Sequence, residues 1–332
     1  MTTEAAPRTA ETVGCAGLGM LGAALAQRLA DAGHLSAVWN RTPGRAPGLD
    51  AAGVRRAADP AALMRESTVL VLCVSDSAAV EEVTFGPGGL AEGADPGKVL
   101  VDHSSIGPQE TRLLAARLAA ETGAHWLDAP VSGGPQGAAA GKLTVLAGGS
   151  AEDFERVRPV LDAYAARRTL TGPIGAGQAT KLCNQVIVGA TSWALAEATL
   201  LAAASDLDYG RLPELLEGGF ADSRLLHVLQ PMLKPGDTSH FGSLDHLLKD
   251  LDTALRLSRS VGCPLPVTAQ SAELFRLARK WSSPLRNGGI FDFLDGRPDP
   301  GAHRDGAKPA GGPPDPERPE AEEPAAGRTG AT

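Results

Sequence analysis

The chain has 332 residues, enough for two packed domains, with an ordinary globular balance of 43% apolar and 21% charged residues. Its formal net charge of −8 opposes phosphate backbones and anionic membrane surfaces, so nucleic-acid binding and a peripheral membrane role are disfavoured. The four cysteines, Cys15, Cys73, Cys183 and Cys263, have no CxxC spacing, which argues against a zinc site or disulfide framework and predicts reduced, mostly buried thiols.

Residues 1–12 (MTTEAAPRTAET) have neither the basic nor the apolar region of a secretory signal and read as a disordered lead-in. No run reaches the roughly 20 apolar residues expected of a membrane span, and a cytoplasmic location follows by elimination. From Thr12 to Ala16 the chain reads as a short strand ending in a glycine turn. Met20–Ala32 repeats leucine at helical spacing and stops before Gly33. Ser36–Trp39, Thr68–Val74, Lys98–Asp102, Ala124–Asp128 and Lys142–Ala147 read as further strands, with a helix over Pro108–Thr122. Strands alternating with helices predict an α/β, Rossmann-like, doubly wound and mostly parallel sheet covered on both faces, over residues 13–174.

The pattern changes near Gly175. Gln178–Ala204 is helix-compatible throughout and contains no proline, so the spacing predicts a long helix buried in a helical domain or a subunit interface. Helices are also expected around Leu212–Glu217, Leu244–Ser260 and Thr268–Lys280, completing an all-helical domain over 175–296. Residues 297–332 carry eight prolines and no bulky apolar side chain, a composition that cannot offset its ordering entropy and predicts a disordered tail.

Gly17-Leu18-Gly19-Met20-Leu21-Gly22 is a GxGxxG between the first strand and an amphipathic helix. In that context the first glycine permits the turn, the second lets a pyrophosphate approach and the third lets helix and strand pack. The second strand ends in Asn40-Arg41-Thr42, without the carboxylate that usually holds an NAD ribose. Arg41 offers a planar fork suited to a 2′-phosphate, so the cofactor predicted is NADP(H).

Asp128-Ala129-Pro130-Val131-Ser132-Gly133-Gly134, Gly175-Ala176-Gly177-Gln178-Ala179-Thr180-Lys181-Leu182-Cys183-Asn184-Gln185 and Lys249-Asp250-Leu251 follow in that order. From about Val13 to Ala278 the chain resembles the β-hydroxyacid dehydrogenase family, which includes 3-hydroxyisobutyrate dehydrogenases and tartronate semialdehyde reductases. The Asn-Gln pair after the lysine, and Asp102-His103-Ser104-Ser105-Ile106, resemble the reductases more. The resemblance implies that Lys181 is the catalytic lysine, that Ser132, Gly133 and Gly134 hold a substrate carboxylate, and that Asn184 and Gln185 are the amides beside the lysine. It also implies that Ser104 or Ser105 lies near the nicotinamide, that Lys249 lies near cofactor and substrate, and that subunits form homodimers or homotetramers through the helical domain. The family often carries Leu-Pro where this chain has Val74-Ser75, a segment expected to touch the cofactor through its backbone. Asn287–Phe293 also departs from the reductase pattern, which bears on the identity of the substrate.

Reducing an aldehyde requires a hydride and a proton for the developing alkoxide, and a lysine ammonium can supply the proton. On a helix Lys181, Asn184 and Gln185 share a face, where the amides can orient the lysine and bind a substrate hydroxyl. His103 is expected to be a polar residue at a strand end, and Asp250 a structural or lysine-orienting group. The reading is therefore an oxidoreductase that interconverts a small 3-hydroxy acid and its semialdehyde. The alternatives are an imine reductase, a class similar at Asn40-Arg41-Thr42 that usually lacks the lysine, and a non-catalytic NADPH-binding protein.

Overall fold

The computed structural model describes residues 11–237, 243–281 and 287–296. Its first half alternates strand and helix. The elements are β1 (Val13–Ala16), α1 (Met20–Asp31), β2 (Leu35–Trp39), α2 (Gly48–Ala51), β3 (Arg55–Arg56), α3 (Pro60–Arg65), β4 (Val69–Leu72) and α4 (Ser77–Phe85). There follow β5 (Val99–Asp102), α5 (Pro108–Thr122), β6 (His125–Asp128), β7 (Val131–Ser132), α6 (Gly134–Ala139), β8 (Leu143–Gly148), α7 (Ala151–Asp162) and β9 (Ala165–Gly172).

The sheet runs β3-β2-β1-β4-β5-β6-β8-β7, with β9 paired to β8. Pairing is parallel from β3 through to β6, antiparallel where β8 meets β6 and β7, and parallel again between β8 and β9. The order reverses between β1 and β4, the switch point outside which such sheets bind ligands. Strands β1, β4 and β5 are buried along their whole length because helices cover both faces. Their side chains divide by parity. Val13, Cys15, Val69, Val71, Val99 and Val101 enter one core, and Ala16, Leu70, Leu72 and Leu100 enter the other.

The second half is helical: α8 (Ala176–Ala204), α9 (Leu212–Leu215), α10 (Arg224–Leu229), α11 (Leu244–Ser260), α12 (Pro266–Trp281) and α13 (Asn287–Leu294). Its core gathers Trp193 and Ala196 of α8 with Leu247, Leu248 and Leu251 of α11, Phe275 of α12 and Phe291 of α13. The buried stripe of α8 consists largely of small residues. A Cβ at Gly189 would stand 2.9 Å from both terminal carbons of Leu251, so glycine there lets α11 approach closely.

Several expectations are corrected. By length and composition α8 is apolar enough to cross a membrane; its many alanines raise mean hydropathy without a run of bulky side chains. Only a third of that apolar window is buried within the chain, and Ile187 and Leu201 are exposed. Of the cysteines, Cys15 is buried and Cys73 half-buried, but Cys183 of α8 and Cys263 after α11 are exposed. The lead-in ends earlier than expected. Glu11 accepts two hydrogen bonds from Arg156 at 2.7 and 2.9 Å, and Thr12 N donates to Thr68 Oγ1 at 2.9 Å. The remainder of the lead-in and the tail from 297 lie outside the described residues. Elements α2, β3, α3, α4, β7, α6, α7, β9, α10 and α13 are not among those expected.

Candidate active site

The glycine turn after β1 has the geometry that its three glycines require. Gly17 sits at φ +92°, and a Cβ there would lie 2.2 Å from Cys73 O. A Cβ on Gly22 would lie 1.9 Å from Gly17 O. Around Gly19 there is open space, and no side chain caps α1. An uncapped helix start with an unobstructed glycine suits a dinucleotide pyrophosphate. Met20 is exposed, Leu21 half-buried and Leu18 buried.

Asn40 serves the turn itself. Its Oδ1 accepts from Leu18 N at 2.7 Å and its Nδ2 donates to Thr42 O at 2.8 Å, so its amide locks the two loops together. Arg41 is exposed and pairs at 3.3 Å with Glu82 of α4, a residue that the motif gave no reason to single out. Across the switch point, Val74 N donates to Ser104 Oγ at 3.0 Å. That bond leaves the Val74 carbonyl, and not its N–H, for any backbone contact. Ser75 Oγ donates to Asp76 Oδ2 at 2.7 Å, and Asp76 caps α4 through Ala79 N. Where the family often has proline, this chain therefore has a serine that supports a helix cap.

The two serines after β5 face different ways. Ser104 is buried with its hydroxyl turned to Val74, and its own N–H donates to Asp102 Oδ1 at 2.9 Å. Ser105 points to the helical half, donating to Asp250 Oδ1 at 2.9 Å. Asp250 of α11, buried, is the hub of the site. Its Oδ2 accepts from Gln185 Nε2 at 2.8 Å, and Lys249 Nζ lies 3.1 Å from Oδ1 while also donating to Ser105 O. Asn184 Nδ2 donates to Gln185 Oε1 at 2.9 Å.

Lys181 stands beside this network without a hydrogen bond into it among the described residues. Burial holds its ammonium below the ordinary lysine range; Asp250 counters the shift and Lys249 reinforces it. The amides were expected to orient the lysine by direct contact. They bind each other and Asp250 instead: Gln185 Oε1, which could accept from an ammonium, accepts from Asn184, and its Nε2 donates to the carboxylate.

Ser132 ends β7, and Gly133 and Gly134 open α6 at φ +125° and +63°. Open space surrounds Gly134 where a side chain would stand, as backbone recognition of a carboxylate requires. His103 is buried between Ala129 O at 2.5 Å and Tyr164 Oη at 2.8 Å. Burial pushes its pKa down to about 4, so it is a neutral core residue.

Two halves, one with a dinucleotide turn and one presenting a lysine beside a carboxylate and amides, define a nicotinamide-dependent oxidoreductase. Residues 12–172 match the NAD binding domain of 6-phosphogluconate dehydrogenase, and residues 175–284 match the NAD-binding domain of NADP-dependent 3-hydroxyisobutyrate dehydrogenase. The chain is 39% identical to the 2-hydroxy-3-oxopropionate reductase of Escherichia coli over 285 residues, covering 85% of this chain and 97% of the relative. It is 32% identical to an NAD-dependent L-serine dehydrogenase of Pseudomonas aeruginosa, covering 80% and 91%. Among solved structures, Psf3 in complex with NADP+ and 2-OPP superposes with a TM-score of 0.77 at 28% identity, covering 85% and 100%. The chain belongs to the β-hydroxyacid dehydrogenase family of 3-hydroxyisobutyrate dehydrogenases and tartronate semialdehyde reductases, and it is an oxidoreductase with a nicotinamide cofactor.

Proposed function

We propose that this enzyme reduces a small semialdehyde acid to its 3-hydroxy acid with NADPH, and that Lys181 is the proton donor. The observation carrying this reading is the Lys181 ammonium, desolvated and held below the ordinary lysine range within a cluster that also contains Asp250, Gln185 and Ser105. Such a group gives up its proton more readily than an exposed lysine.

The turn Gly17–Gly22 and the start of α1 would hold the pyrophosphate, with Asn40 shaping the turn. Arg41 and Thr42 would face the 2′-phosphate, with Val74, Ser75, Ser104, Ser105 and Lys249 bordering the nicotinamide side. When bound, the nicotinamide supplies the hydride. Ser132 and the backbone at Gly133 and Gly134 hold the substrate carboxylate. Lys181 polarises the carbonyl and passes its proton to the alkoxide oxygen as that charge develops. Asn184 and Gln185 receive the substrate hydroxyl, while Asp250 fixes Gln185 and Lys249 in place. The preference for NADPH rests on Arg41 and on the absence of a carboxylate at the end of β2.

The test is kcat/KM for NADPH and NADH with 2-hydroxy-3-oxopropionate and a cyclic imine, and for NADP+ and NAD+ with 3-hydroxyisobutyrate. Turnover of the semialdehyde with NADPH favoured is the expected result. Turnover of the imine alone would move the chain to the reductive-amination class, and equal use of both cofactors would remove the role given to Arg41.

For assembly, we infer that copies of this chain pair through the helical half. Ile187, Leu201, Leu215 and Phe220 are exposed there, beside an apolar groove of about 380 Å³ between α8 and the α9 region. Light scattering should give a dimer or tetramer, and Phe220→Glu should shift it toward the monomer.

A further inference from the structure

The two halves meet at the start of α8 through two side chains that the proposed chemistry does not use. Asp128 ends β6, fully buried. Its Oδ1 accepts from Gly175 N at 2.7 Å and its Oδ2 from Gln178 N at 2.9 Å. The carboxylate thus occupies the N-terminus of a 29-residue helix, where negative charge is favoured. Three glycines allow the approach. A Cβ at Gly148 would lie 2.6 Å from Asp128 Oδ1, and one at Gly177 would lie 2.8 Å from Oδ2 and 2.4 Å from Leu146 O. Gly175 adopts φ +87°.

Gln178, also fully buried, completes the joint. Its Nε2 donates to Ser104 O at 2.7 Å, and its Oε1 accepts from Ile106 N at 3.3 Å. These are the residues on either side of Ser105. The first turn of α8 is therefore bonded both to the end of β6 and to the loop that carries Ser105. Lys181 follows Gln178 by three residues on the same helical face, about 4.5 Å along the axis.

Burying these groups is costly. Asp128 is pushed up to about 6 and its neighbour Asp102 up to about 7, both by desolvation. Asp102 also has one buried oxygen without a hydrogen bond. A joint that only joined two halves would be cheaper with apolar packing; a directional polar joint fixes angle and height as well.

We propose that Asp128 and Gln178 are positioning residues that hold the Lys181 turn of α8 at a fixed height against the Ser104–Ile106 loop, so that the lysine meets the carbonyl oxygen. The proposal rests on the reading of Lys181 as proton donor. Neither residue touches substrate; both act through the lysine.

The experiment uses the full chain with Gln178→Ala, Gln178→Glu and Asp128→Asn. In steady-state reduction of 2-hydroxy-3-oxopropionate, Gln178→Ala should lower kcat about thirtyfold, since displacements near 1 Å cost up to about a hundredfold. The dissociation constant for NADPH should stay within about twofold, because the turn that holds it lies on the other half. The isotope effect on kcat with NADPH deuterated at the transferred position should grow. Gln178→Glu keeps the acceptor for Ile106 N but loses the donor to Ser104 O, and should fall between Ala and wild type.

In cofactor-free protein, the titration midpoint of the Lys181 Cε resonance, followed by 13C NMR, should move up toward that of an exposed lysine in Gln178→Ala. This second readout needs no turnover, so it decides the positioning even if the wild type ignores the semialdehyde, a result that would sink only the substrate assignment. Gln178→Ala alone carries the test if Asp128→Asn does not fold. A lower melting temperature with unchanged kcat, isotope effect and Lys181 midpoint would reduce the joint to a structural one. A moved midpoint with unchanged kcat would overturn the lysine's role and the proposal with it.

Discussion

The chain contains two GxG turns that each start a long helix, and they differ in what fills the helix start. Gly17-Leu18-Gly19 leads into α1 with no capping side chain and with open space around Gly19. Gly175-Ala176-Gly177 leads into α8, and there Asp128 already occupies the N-terminus while Gly177 is hemmed in by Leu146 O. Both helix starts favour an anion. At α8 the protein's own carboxylate satisfies it; on the proposed reading the cofactor's pyrophosphate does so at α1. Glycine spacing alone therefore does not define a phosphate site; the deciding fact is whether an internal acid has been placed against the helix start.

On the proposed reading, that contrast gives α1 to cofactor binding and α8 to catalysis, and it can be broken at several points. The largest effect expected is at Lys181. Lys181→Ala should lower kcat by at least about a hundredfold with little change in the fluorescence-measured affinity for NADPH. If affinity falls in step with kcat, α8 belongs to the cofactor site as well and the contrast fails. Next come the glycines. Gly177→Ala places a Cβ against backbone and should lower the melting temperature by several degrees, given a cost of about 1–3 kcal/mol for overpacking. A Cβ at Gly19 meets nothing in the protein, so Gly19→Ala should fold normally and raise the KM for the cofactor about tenfold by standing where the pyrophosphate approaches.

The pH profiles sharpen the same division. On the proposed mechanism the donor is the Lys181 ammonium, whose pKa is lowered, so kcat for reduction should fall as pH rises through that pKa, and kcat for oxidation should rise. Stability should respond to the joint instead. Asp102 and Asp128 have folded pKa values raised to about 7 and about 6, so the stability they contribute at low pH is lost as pH rises through those values. His103, lowered to about 4, acts in the opposite sense and its contribution is lost as pH falls through 4. Of these three groups, only the carboxylates still titrate above about pH 6.5. The melting temperature should then decline toward pH 8, and less steeply in Asp102→Asn. The smallest effect is expected at the exposed Arg41–Glu82 pair: Glu82→Gln should strengthen NADPH binding only about two- to threefold, as exposed ion pairs are weak. No change at all would separate Arg41 from the 2′-phosphate.

Much of the scaffold was legible from local patterns. Helix α5 begins at Pro108 and ends at Gly123, which adopts φ +74°, so both boundaries are marked by residues with one conformational use. The Leu244–Ser260 helix was equally clear from its leucine stripe. Strand β9 was not, because Ala165–Gly172 carries two arginines and buries only Ala165 fully, leaving no apolar alternation to read. Helices α3 and α4 did announce themselves through Asp59 and Asp76, which cap them, but they are short and weakly periodic. Within the site, the lysine, the serine loop and the glycine turn were visible as motifs. The Asp128–Gln178 bond joins residues 50 apart, and Glu82 stands 41 residues beyond Arg41. No local pattern encodes such pairs; they exist only once the sheet and α8 are assembled.

The tie between Glu11 and Arg156 has a practical consequence for anyone who trims or fuses this protein. Glu11 also accepts from the Thr68 hydroxyl at 2.6 Å, so it pins the segment that leads into β1 to both α7 and the entry of β4. Cutting after residue 12 would spare every motif in the chain yet remove this clamp from the sheet that carries the dinucleotide turn. An affinity tag joined ahead of residue 11 keeps the clamp, whereas one joined directly to Val13 starts the first strand without it.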